Sequence, residues 1–372
     1  MPYASLDSFK HRVVVATPLP FNVYDTDHTL LLARGVVVEN HDRLDALCAR
    51  GTLVDINEML SASERVDQAS ARELPKLWAQ CMDQVGQVLL ESAAPSFRAS
   101  LDEAAAPVQQ LIARDPDLAI FQVLRQDDQP HLRYGLNHSV HTAIVTQLVA
   151  QRLGWPAADM MLAFKAALTM NLGMLELQGV LAAQRSAPTE AQRRVIHEHP
   201  QRGVEMLQQA GVTDAVWLTA VAEHHEQRDG TGYPNGKRNP CELATMLRLA
   251  DVYSAKLSRR ATRDAVAADE AGRQIFRQDP GHAATAALVK EFGIYPPGCF
   301  VQLASGETGI VVRRGPTVMT PVVAALTSMF GETLTDPLRR DTANPLYAVV
   351  GVLGNRCAPP RVAPERLVAM AA

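Results

Sequence analysis

Apolar residues change from strand-like to helical spacing and back again along the chain, and with a further division inside the helical part they indicate four segments. Residues 1–60 carry short apolar or β-branched runs, at Arg12–Ala16, Phe21–Tyr24 and Thr29–Ala33, separated by prolines and a polar turn. Such runs are typical of strands, so they predict a small N-terminal β unit. Residues 61–130 place apolar residues at helical spacing with few glycines or prolines, which predicts a helical connector.

Helical spacing continues through residues 131–293 and is interrupted only at turn-rich points, which predicts an all-helical domain. Residues 294–372 return to short apolar runs, at Phe300–Leu303, Gly309–Arg313 and Tyr347–Val350, and they predict a second small β unit. The expected fold class is therefore mainly α, with a helical domain between a small β unit plus helical connector and a small C-terminal β unit.

Composition and charge narrow the class of protein. The 372 residues are 47% hydrophobic and 20% charged, with a formal net charge of −4. These values are typical of a globular chain and give no general attraction for DNA, so we expect no DNA partner. Five scattered cysteines without a C-x-x-C pair favour reduced thiols in the cytoplasm. We expect a cytoplasmic protein with no membrane segment, because no signal pattern or long apolar run is evident.

Histidines are concentrated in the predicted helical domain. Six of the eleven lie between His138 and His225. A single histidine is most often a core or capping residue, but the adjacent pair His224 and His225 precedes two glycines and a proline and needs more explanation. Together with His138, His199 and Asp251, this pair supplies imidazole and carboxylate ligands that suit iron, manganese or zinc.

The stretch from His224 to Pro234 resembles the H-H-E-x-x-D-G-x-G-Y-P signature of HD-GYP domains, a bacterial branch of the HD phosphohydrolases. Three other segments resemble the ligand segments of that family: His138-Ser139, His199-Pro200-x-x-Gly203, and Ala250-Asp-Val-Tyr253 with Arg260. The resemblance covers about residues 131–293. It implies an all-helical domain that binds two or three metal ions and, in active members, hydrolyses cyclic di-GMP to linear pGpG or GMP.

One part of the family pattern is missing. Where the family usually has H-D-x-G-K, this chain has Met170-Asn-Leu-Gly-Met174. In the family the aspartate bridges two metal ions, and the hydroxide between them attacks phosphorus. Asn171 is a neutral carboxamide, Met170 is a soft thioether, and Met174 lacks the charge of a lysine. We therefore assign no catalytic residue and expect the two-metal arrangement to be lost.

The resemblance also divides the remaining ligands between two ions. The ion bound by the middle histidine and the double histidine would keep His199, His224 and His225, whereas the other would keep only His138 and Asp251. Three imidazoles with open coordination positions still form a plausible site. We expect at most one bound ion of iron, manganese or zinc, and the alternative is that no ion binds.

Two further elements resemble binding surfaces of the family. Arg260 and Arg263 resemble a clamp on the phosphates of the dinucleotide, and the alternative is a solvated charged face at a helix end. The loop Gly232-Tyr233-Pro234 resembles the element that contacts partner proteins, including diguanylate cyclases. Its alternative is a rigid turn that closes the site.

These observations leave three hypotheses. The leading one is a degenerate HD-GYP protein of bacterial cyclic di-GMP signalling, which binds the nucleotide or a partner protein with little or no hydrolysis. The second is a metal-dependent phosphodiesterase that cleaves cyclic di-GMP through a reduced or rearranged metal site. The third is a structural scaffold that binds neither metal nor nucleotide.

Overall fold

The computed structural model of the protein describes residues 3–125, 133–353, 366–367 and 370. The chain divides into two compact units, Met1–Ala69 and Ser70–Ala372. The predicted fold class is confirmed, because the protein is mainly α and carries a small sheet near each end. The predicted boundary at residues 130 and 131 lies outside the described residues, as does most of the chain after residue 353.

The first unit combines a four-stranded antiparallel sheet with short helices, and the strand order is β1-β4-β2-β3. The strands are β1 (Tyr3–Ser5), β2 (Val23–Tyr24), β3 (Leu30–Leu32) and β4 (Leu53–Asp55). The helices are α1 (His41–Ala49), α2 (Ile56–Met59) and α3 (Ala62–Gln68), with a 3₁₀ helix at Leu6–Arg12. Buried apolar side chains such as Leu6, Phe21 and Leu44 form the core of this unit.

Two parts of this unit differ from the expected β unit. The predicted strand Arg12–Ala16 is wrong, because the chain forms the 3₁₀ helix up to Arg12 and then irregular turns. Helix α1 was also not expected. Its N-cap is Asn40, whose side chain accepts the backbone N–H of Arg43 at 2.9 Å. Asparagine is among the strongest N-cap residues, and this local signal outweighs the β-branched residues before it.

Most helices of the protein belong to the second unit. They are α4 (Leu74–Leu90), α5 (Phe97–Arg114), α6 (Pro116–Leu124), α7 (Tyr134–Arg152), α8 (Ala157–Thr169), α9 (Leu175–Ala183), α10 (Glu190–Gln209), α11 (Ala215–Glu223), α12 (Glu242–Leu257), α13 (Ala268–Gln278) and α14 (Ala283–Phe292). Helix α7 is central, since every side chain from His138 to Ala150 is buried. It packs against α8, α12, α14 and α9, and the helices α4, α5 and α6 of the predicted connector also pack against it.

The stretch Ala157–Ala183 is long and apolar enough to cross a membrane by composition alone, so the expectation that no such run exists is wrong. In the fold it is not one continuous helix. Helix α8 ends at Thr169, a 3₁₀ turn covers Leu172–Met174, and α9 begins at Leu175. Of the 18-residue window that meets this criterion, 56% is buried inside the protein, as is common for a core helix. The nearly all-apolar sequence from Met160 to Leu175 is typical of one buried helix, but in the fold it is interrupted in its second half.

This 3₁₀ turn lies directly on α10. A Cβ atom at Gly173 would be 2.5 Å from the carbonyl oxygen of His199, which is closer than real Cβ contacts. Only glycine allows two backbones to approach so closely. One turn later, a Cβ at Gly203 would be 3.6 Å from the carbonyl oxygen of Met170. Close backbone packing thus fixes the segment after α8 against the helix that carries His199.

A five-stranded antiparallel sheet follows the helices, with strand order β8-β7-β6-β5-β9. The strands are β5 (Phe300–Leu303), β6 (Thr308–Arg313), β7 (Val322–Thr327), β8 (Thr333–Asp341) and β9 (Val349–Leu353). Val301, Val311 and Val323 form the buried core of this sheet. Its neighbouring strands pair as hairpins from β5 to β8. The runs Phe300–Leu303 and Gly309–Arg313 coincide with β5 and β6, whereas Tyr347–Val350 overlaps β9 only from Val349, and β7 and β8 were not predicted.

Arg314, which follows β6, connects this sheet to the helices. Its guanidinium donates to Asp117 of α6 and, at 2.8 Å, to Oε1 of Glu291 in α14. Glu291 also accepts from Nε of Arg152 in α7 at 2.5 Å. The carboxylate side chains of Asp117 and Glu291 are only 14% and 9% exposed. Carboxylates buried to this extent need a cation, so Arg314 stabilises the junction between helices and sheet.

Replacing Arg314 by methionine should lower the free energy of unfolding by about 2 to 3 kcal/mol, because two largely buried carboxylates lose a cation. Chemical denaturation of the full chain measures this. The neighbouring Arg313 is the matched control, since it is 46% exposed and its Nε lies 3.9 Å from Asp117. Arg313→Met should cost less than about 1 kcal/mol. Equal losses in the two variants would contradict a specific role for Arg314.

Candidate metal centre

Three imidazoles meet where α10 approaches the end of α11. His199 lies in α10, whereas His224 caps the C-terminal end of α11 and His225 follows it, so the adjacent pair lies at and just past a helix end. One ring nitrogen from each of the three lies within 4.8 Å of the others. The Nε2 atoms of His199 and His224 are 3.1 Å apart. The structure thus brings together the three residues for which the sequence predicts one ion.

Backbone carbonyls fix the tautomers of two of these rings. Nδ1 of His199 lies 2.6 Å from the carbonyl oxygen of Ile196, and Nδ1 of His224 lies 2.7 Å from that of Val221. A carbonyl oxygen only accepts, so each Nδ1 carries the proton and each Nε2 of a neutral ring carries a lone pair. Two lone pairs then face each other. Histidines that bind metals typically donate their second ring N–H to a carbonyl or a carboxylate in this way.

Burial keeps these rings neutral. Desolvation, together with neighbouring His224, lowers the pKa of His199 to about 3. Burial also lowers the pKa of His224 and places the pKa of His225 well below its ordinary value. A neutral imidazole is the form that binds a metal ion, so these nitrogens are available as ligands at neutral pH.

The donor set fits a divalent transition-metal ion. Imidazole nitrogens bind zinc at about 2.0–2.1 Å, so two donors 3.1 Å apart can share one ion at about a right angle. Nε2 of His225 is buried and has no hydrogen-bond partner among the described residues. An unpaired buried nitrogen costs free energy, and an ion between the three rings would satisfy it. The site can therefore hold one ion of the zinc, iron or manganese type.

His138 and Asp251 form a separate pair. Nε2 of His138, in α7, lies 2.7 Å from Oδ1 of Asp251, in α12. Their side chains are 2% and 14% exposed. Burial alone would raise the pKa of Asp251, but the hydrogen bond from His138 and the nearby imidazoles lower it below the ordinary range. The two residues that the sequence assigns to a weakened second ion are thus paired with each other.

Met170 and Asn171 lie between α8 and the 3₁₀ turn and are fully buried. Neither Oδ1 nor Nδ2 of the Asn171 side chain has a hydrogen-bond partner among the described residues. Met174, at the family's lysine position, lines an open cleft of about 270 Å³. The three side chains of the segment that resembles the family's H-D-x-G-K stretch are therefore neutral, and two of them are buried.

Tyr134 connects Arg260 to the His138–Asp251 pair. Nε of Arg260 donates to the Tyr134 hydroxyl at 3.0 Å, and the guanidinium lies 5.4 Å from the centre of that ring. The same ring stacks on His138, with centroids 5.8 Å apart and an angle of 11° between the planes. Arg263 instead donates to the carbonyl of Ala255. The two arginines therefore have different environments, and Arg260 is the one tied to the site.

The loop that carries Gly232, Tyr233 and Pro234 is folded back onto the histidines. Glu226, only 2% exposed, accepts the backbone N–H groups of Asn235 at 2.7 Å and of Lys237 at 2.8 Å. A Cβ at Gly232 would lie 2.4–2.5 Å from three backbone atoms of residues 225–227, so only glycine fits. The ring of Tyr233 stacks on His225 at a centroid distance of 4.5 Å.

Sequence reasoning missed two residues of this region. Glu226 entered the sequence analysis only as part of the signature. In the structure this buried carboxylate accepts two backbone N–H groups and so anchors the loop. Tyr134 carried no motif at all. Its aromatic ring, four residues before a candidate ligand at helical spacing, is the only sequence signal that could have indicated a stacking partner for His138.

Comparison with known proteins identifies the type of domain that carries these residues. The family model described as HD domain matches residues 121–279. A cyclic di-GMP phosphodiesterase of Pseudomonas aeruginosa is 32% identical over 196 residues, which cover 51% of this chain and 47% of that protein. The 3′3′-cGAMP-specific phosphodiesterase 3 of Vibrio cholerae is 31% identical over 37% of this chain and 30% of that protein. These alignments span half or less of the length of either relative.

A solved structure shows the same fold. Bd1817, an HDG"Y"P protein from Bdellovibrio bacteriovorus, matches with a TM-score of 0.51 over 78% of this chain and 98% of that chain. The two sequences are 16% identical in this comparison, so the likeness concerns the fold alone.

We expect about one equivalent of iron, manganese or zinc per chain after anaerobic purification, measured by elemental analysis, because among the described residues three ligands converge. His224→Ala should lose most of this metal, whereas His138→Ala should retain it, since His138 lies outside the three-imidazole cluster. His41→Ala, at the exposed start of α1, is the control for a histidine substitution as such. Two equivalents in the wild-type protein would contradict the single-ion site.

Proposed function

Because the chain belongs to the HD-GYP family through its HD domain, we propose that it is a regulator in cyclic di-GMP signalling. In this proposal it binds the nucleotide or a partner protein, and it hydrolyses little or no cyclic di-GMP. The relatives named above are phosphodiesterases of cyclic dinucleotides, which supports this ligand class. The proposal further places the protein in the cytoplasm, which the scattered cysteines favour.

The proposal of little or no hydrolysis rests on one observation, which is that the described ligand groups include no second carboxylate beside Asp251. His138 and Asp251 are bonded to each other, and Asn171 occupies the position of the bridging aspartate. A neutral amide cannot offset the repulsion between two divalent ions a few ångströms apart. Two-metal hydrolysis requires both ions, one for the attacking oxygen and one for the leaving oxygen. A single ion at the three imidazoles would leave that arrangement incomplete.

His199, His224 and His225 are the residues that would hold the ion. When bound, such an ion supplies Lewis-acid chemistry and lowers the pKa of a coordinated water. This chemistry keeps a slow phosphodiesterase open as the second candidate function, because zinc sites with three histidines can be catalytic. The first hypothesis predicts nucleotide binding without product, and the second predicts product.

Arg260 is the proposed anchor for the nucleotide phosphates. Its Nε is bound to Tyr134, and its other two guanidinium nitrogens make no hydrogen bond to the described residues. A guanidinium held at one nitrogen keeps two donors at a fixed angle, which suits two oxygens of a phosphate. Arg263 stands next in the same turn and adds positive charge, although its guanidinium already binds Ala255.

The folded-back loop supports a second proposed contact, with a signalling protein such as a diguanylate cyclase. Thr231 and Asn235 flank the Gly232–Pro234 segment and are exposed. Tyr233 is turned inward onto His225, so a partner would meet the outer face of the loop rather than that ring. The alternative, a rigid turn that closes the site, uses the same geometry without a partner.

We expect the anaerobically purified full chain, supplied with iron(II) or manganese(II), to bind cyclic di-GMP without forming linear product. Arg260→Ala should weaken binding by about tenfold or more, because hydrogen bonds to charged groups contribute about 1.5–3 kcal/mol. Arg259→Ala is the matched control, since its side chain is 75% exposed and its Nε lies 3.8 Å from Asp264. Calorimetry measures binding and chromatography measures product.

Two outcomes would reject parts of this proposal. Linear product formed at a rate that His224→Ala lacks would establish the phosphodiesterase alternative. Undetectable binding of cyclic di-GMP by the wild-type chain supplied with metal would remove the nucleotide as a ligand and leave binding of a partner protein or the scaffold hypothesis.

Restoring the family pair should restore a second ion. In the Met170→His/Asn171→Asp variant we expect metal content to rise from about one to about two equivalents, because the buried carboxylate would supply the missing negative charge. Asn171→Asp alone is the control, and without metal it should be destabilised by an unpaired buried carboxylate. Elemental analysis and thermal unfolding with and without manganese(II) measure both effects. An unchanged metal content in the double variant would show that these positions do not determine the number of ions.

A further inference from the structure

The three histidines of the candidate metal centre are not oriented in the same way. His199 and His224 each have a ring nitrogen bonded to a backbone carbonyl, at 2.6 and 2.7 Å. His225 makes no such bond to the described residues, and its Nε2 is buried without a partner. A ligand that is free to rotate binds a metal ion more weakly, and groups around a metal site normally prevent this by hydrogen bonding. His225 therefore needs another restraint.

Aromatic stacking supplies that restraint. The ring of Tyr233 lies 4.5 Å from that of His225, with an angle of 22° between the planes. His197 stacks on Tyr233, at 5.5 Å and 24°. Tyr233 therefore stacks with two imidazoles, of which one is a candidate ligand and the other an exposed residue of α10.

The loop is built to keep Tyr233 in this place. The N–H of Tyr233 donates to the carbonyl oxygen of His225 at 3.3 Å. Gly232 packs against the backbone of residues 225–227 with no room for a side chain. Glu226 binds two backbone N–H groups beyond the loop, at Asn235 and Lys237. The stacked ring, the backbone hydrogen bond and the Glu226 carboxylate together fix the position of Tyr233 relative to His225.

We propose that Tyr233 is a positioning residue, which holds the His225 ring in its ligating orientation by stacking, in place of the hydrogen bond that orients each of the other two histidines. This inference rests on the proposed metal centre. It assigns the tyrosine of the loop to the metal site through its ring, and the hydroxyl is not required.

Titration of the full chain with cobalt(II) and zinc(II), followed by the visible absorption of cobalt and by calorimetry, tests the role of the ring. Tyr233→Phe keeps the ring and should bind within about twofold of wild type. Tyr233→Leu keeps bulk without stacking and should weaken binding about 10- to 100-fold, as for other groups that orient metal ligands. His197→Ala removes only the outer ring and should weaken binding about two- to tenfold. Because His197 is exposed, that variant tests the stack even if Tyr233→Leu does not fold.

A double-mutant cycle separates positioning from general stabilisation. Once His225 is replaced by alanine, Tyr233→Leu should have no further effect on metal affinity, because the ring that it orients is absent. The same loss in both backgrounds would overturn the positioning role. Tyr347→Leu, in the C-terminal sheet, is the control for the loss of an aromatic ring and should leave metal affinity unchanged.

The outcomes distinguish this inference from the proposed metal centre. Tight binding by the wild type that Tyr233→Leu leaves unchanged would overturn the positioning role and retain the centre. No binding by the wild type would overturn the centre and, with it, the role of Tyr233.

Discussion

Two imidazole nitrogens with facing lone pairs, 3.1 Å apart in the protein interior, set the main constraint on this structure. Water cannot solvate them fully, because His199 and His224 are buried, and burial opposes protonation of either ring. The carbonyl oxygens of Ile196 and Val221 fix both tautomers, so neither ring can turn its N–H toward the other. The arrangement is unfavourable unless a cation lies between the rings.

The surrounding fold keeps this arrangement in place by backbone packing. The 3₁₀ turn after α8 lies on α10 at a distance that only Gly173 permits, and the loop after His225 closes at a point that only Gly232 permits. The side chains of Met170 and Asn171, just before Gly173, are fully buried. If these residues stand where the family has its His-Asp pair, as the resemblance implies, charge is lost while the packing is kept. A scaffold of this kind can lose ligands while it retains its shape.

Much of the site was accessible from the sequence because its signal is local. His224 to Pro234 is one continuous stretch, and its match to a known signature identified the double histidine and the loop. The contacts of Tyr134 and Glu226 were not accessible, because they depend on residues brought together by the fold. The orientation of the histidine pair was not accessible either, because α11 ends at Glu223 and only the three-dimensional path shows how both rings approach His199.

The fold shows the same division between local and non-local signals. Helical periodicity predicted the helical domain, since long amphipathic stretches report on their own environment. Local residue type was less reliable in the first unit, where the β-branched run Arg12–Ala16 follows a 3₁₀ helix and forms no strand, and where the N-cap Asn40 of α1 was overlooked. Hydropathy likewise could not tell the buried, interrupted stretch Ala157–Ala183 from a membrane span. Composition reports how apolar a segment is, whereas tertiary packing decides what covers it.

Charge balance links the number of ions to the ligand class. Around the three neutral imidazoles, Asp251 is the nearby carboxylate that the structure identifies, through its influence on their pKa values. One divalent ion beside it would leave a single net positive charge, whereas two ions would leave three in a largely buried site, at a prohibitive cost. The same excess, together with the Arg260 guanidinium on Tyr134, favours an anionic ligand. Loss of the bridging carboxylate thus disfavours two-metal chemistry while it leaves an attraction for phosphate, which is the combination that a nucleotide-binding regulator requires.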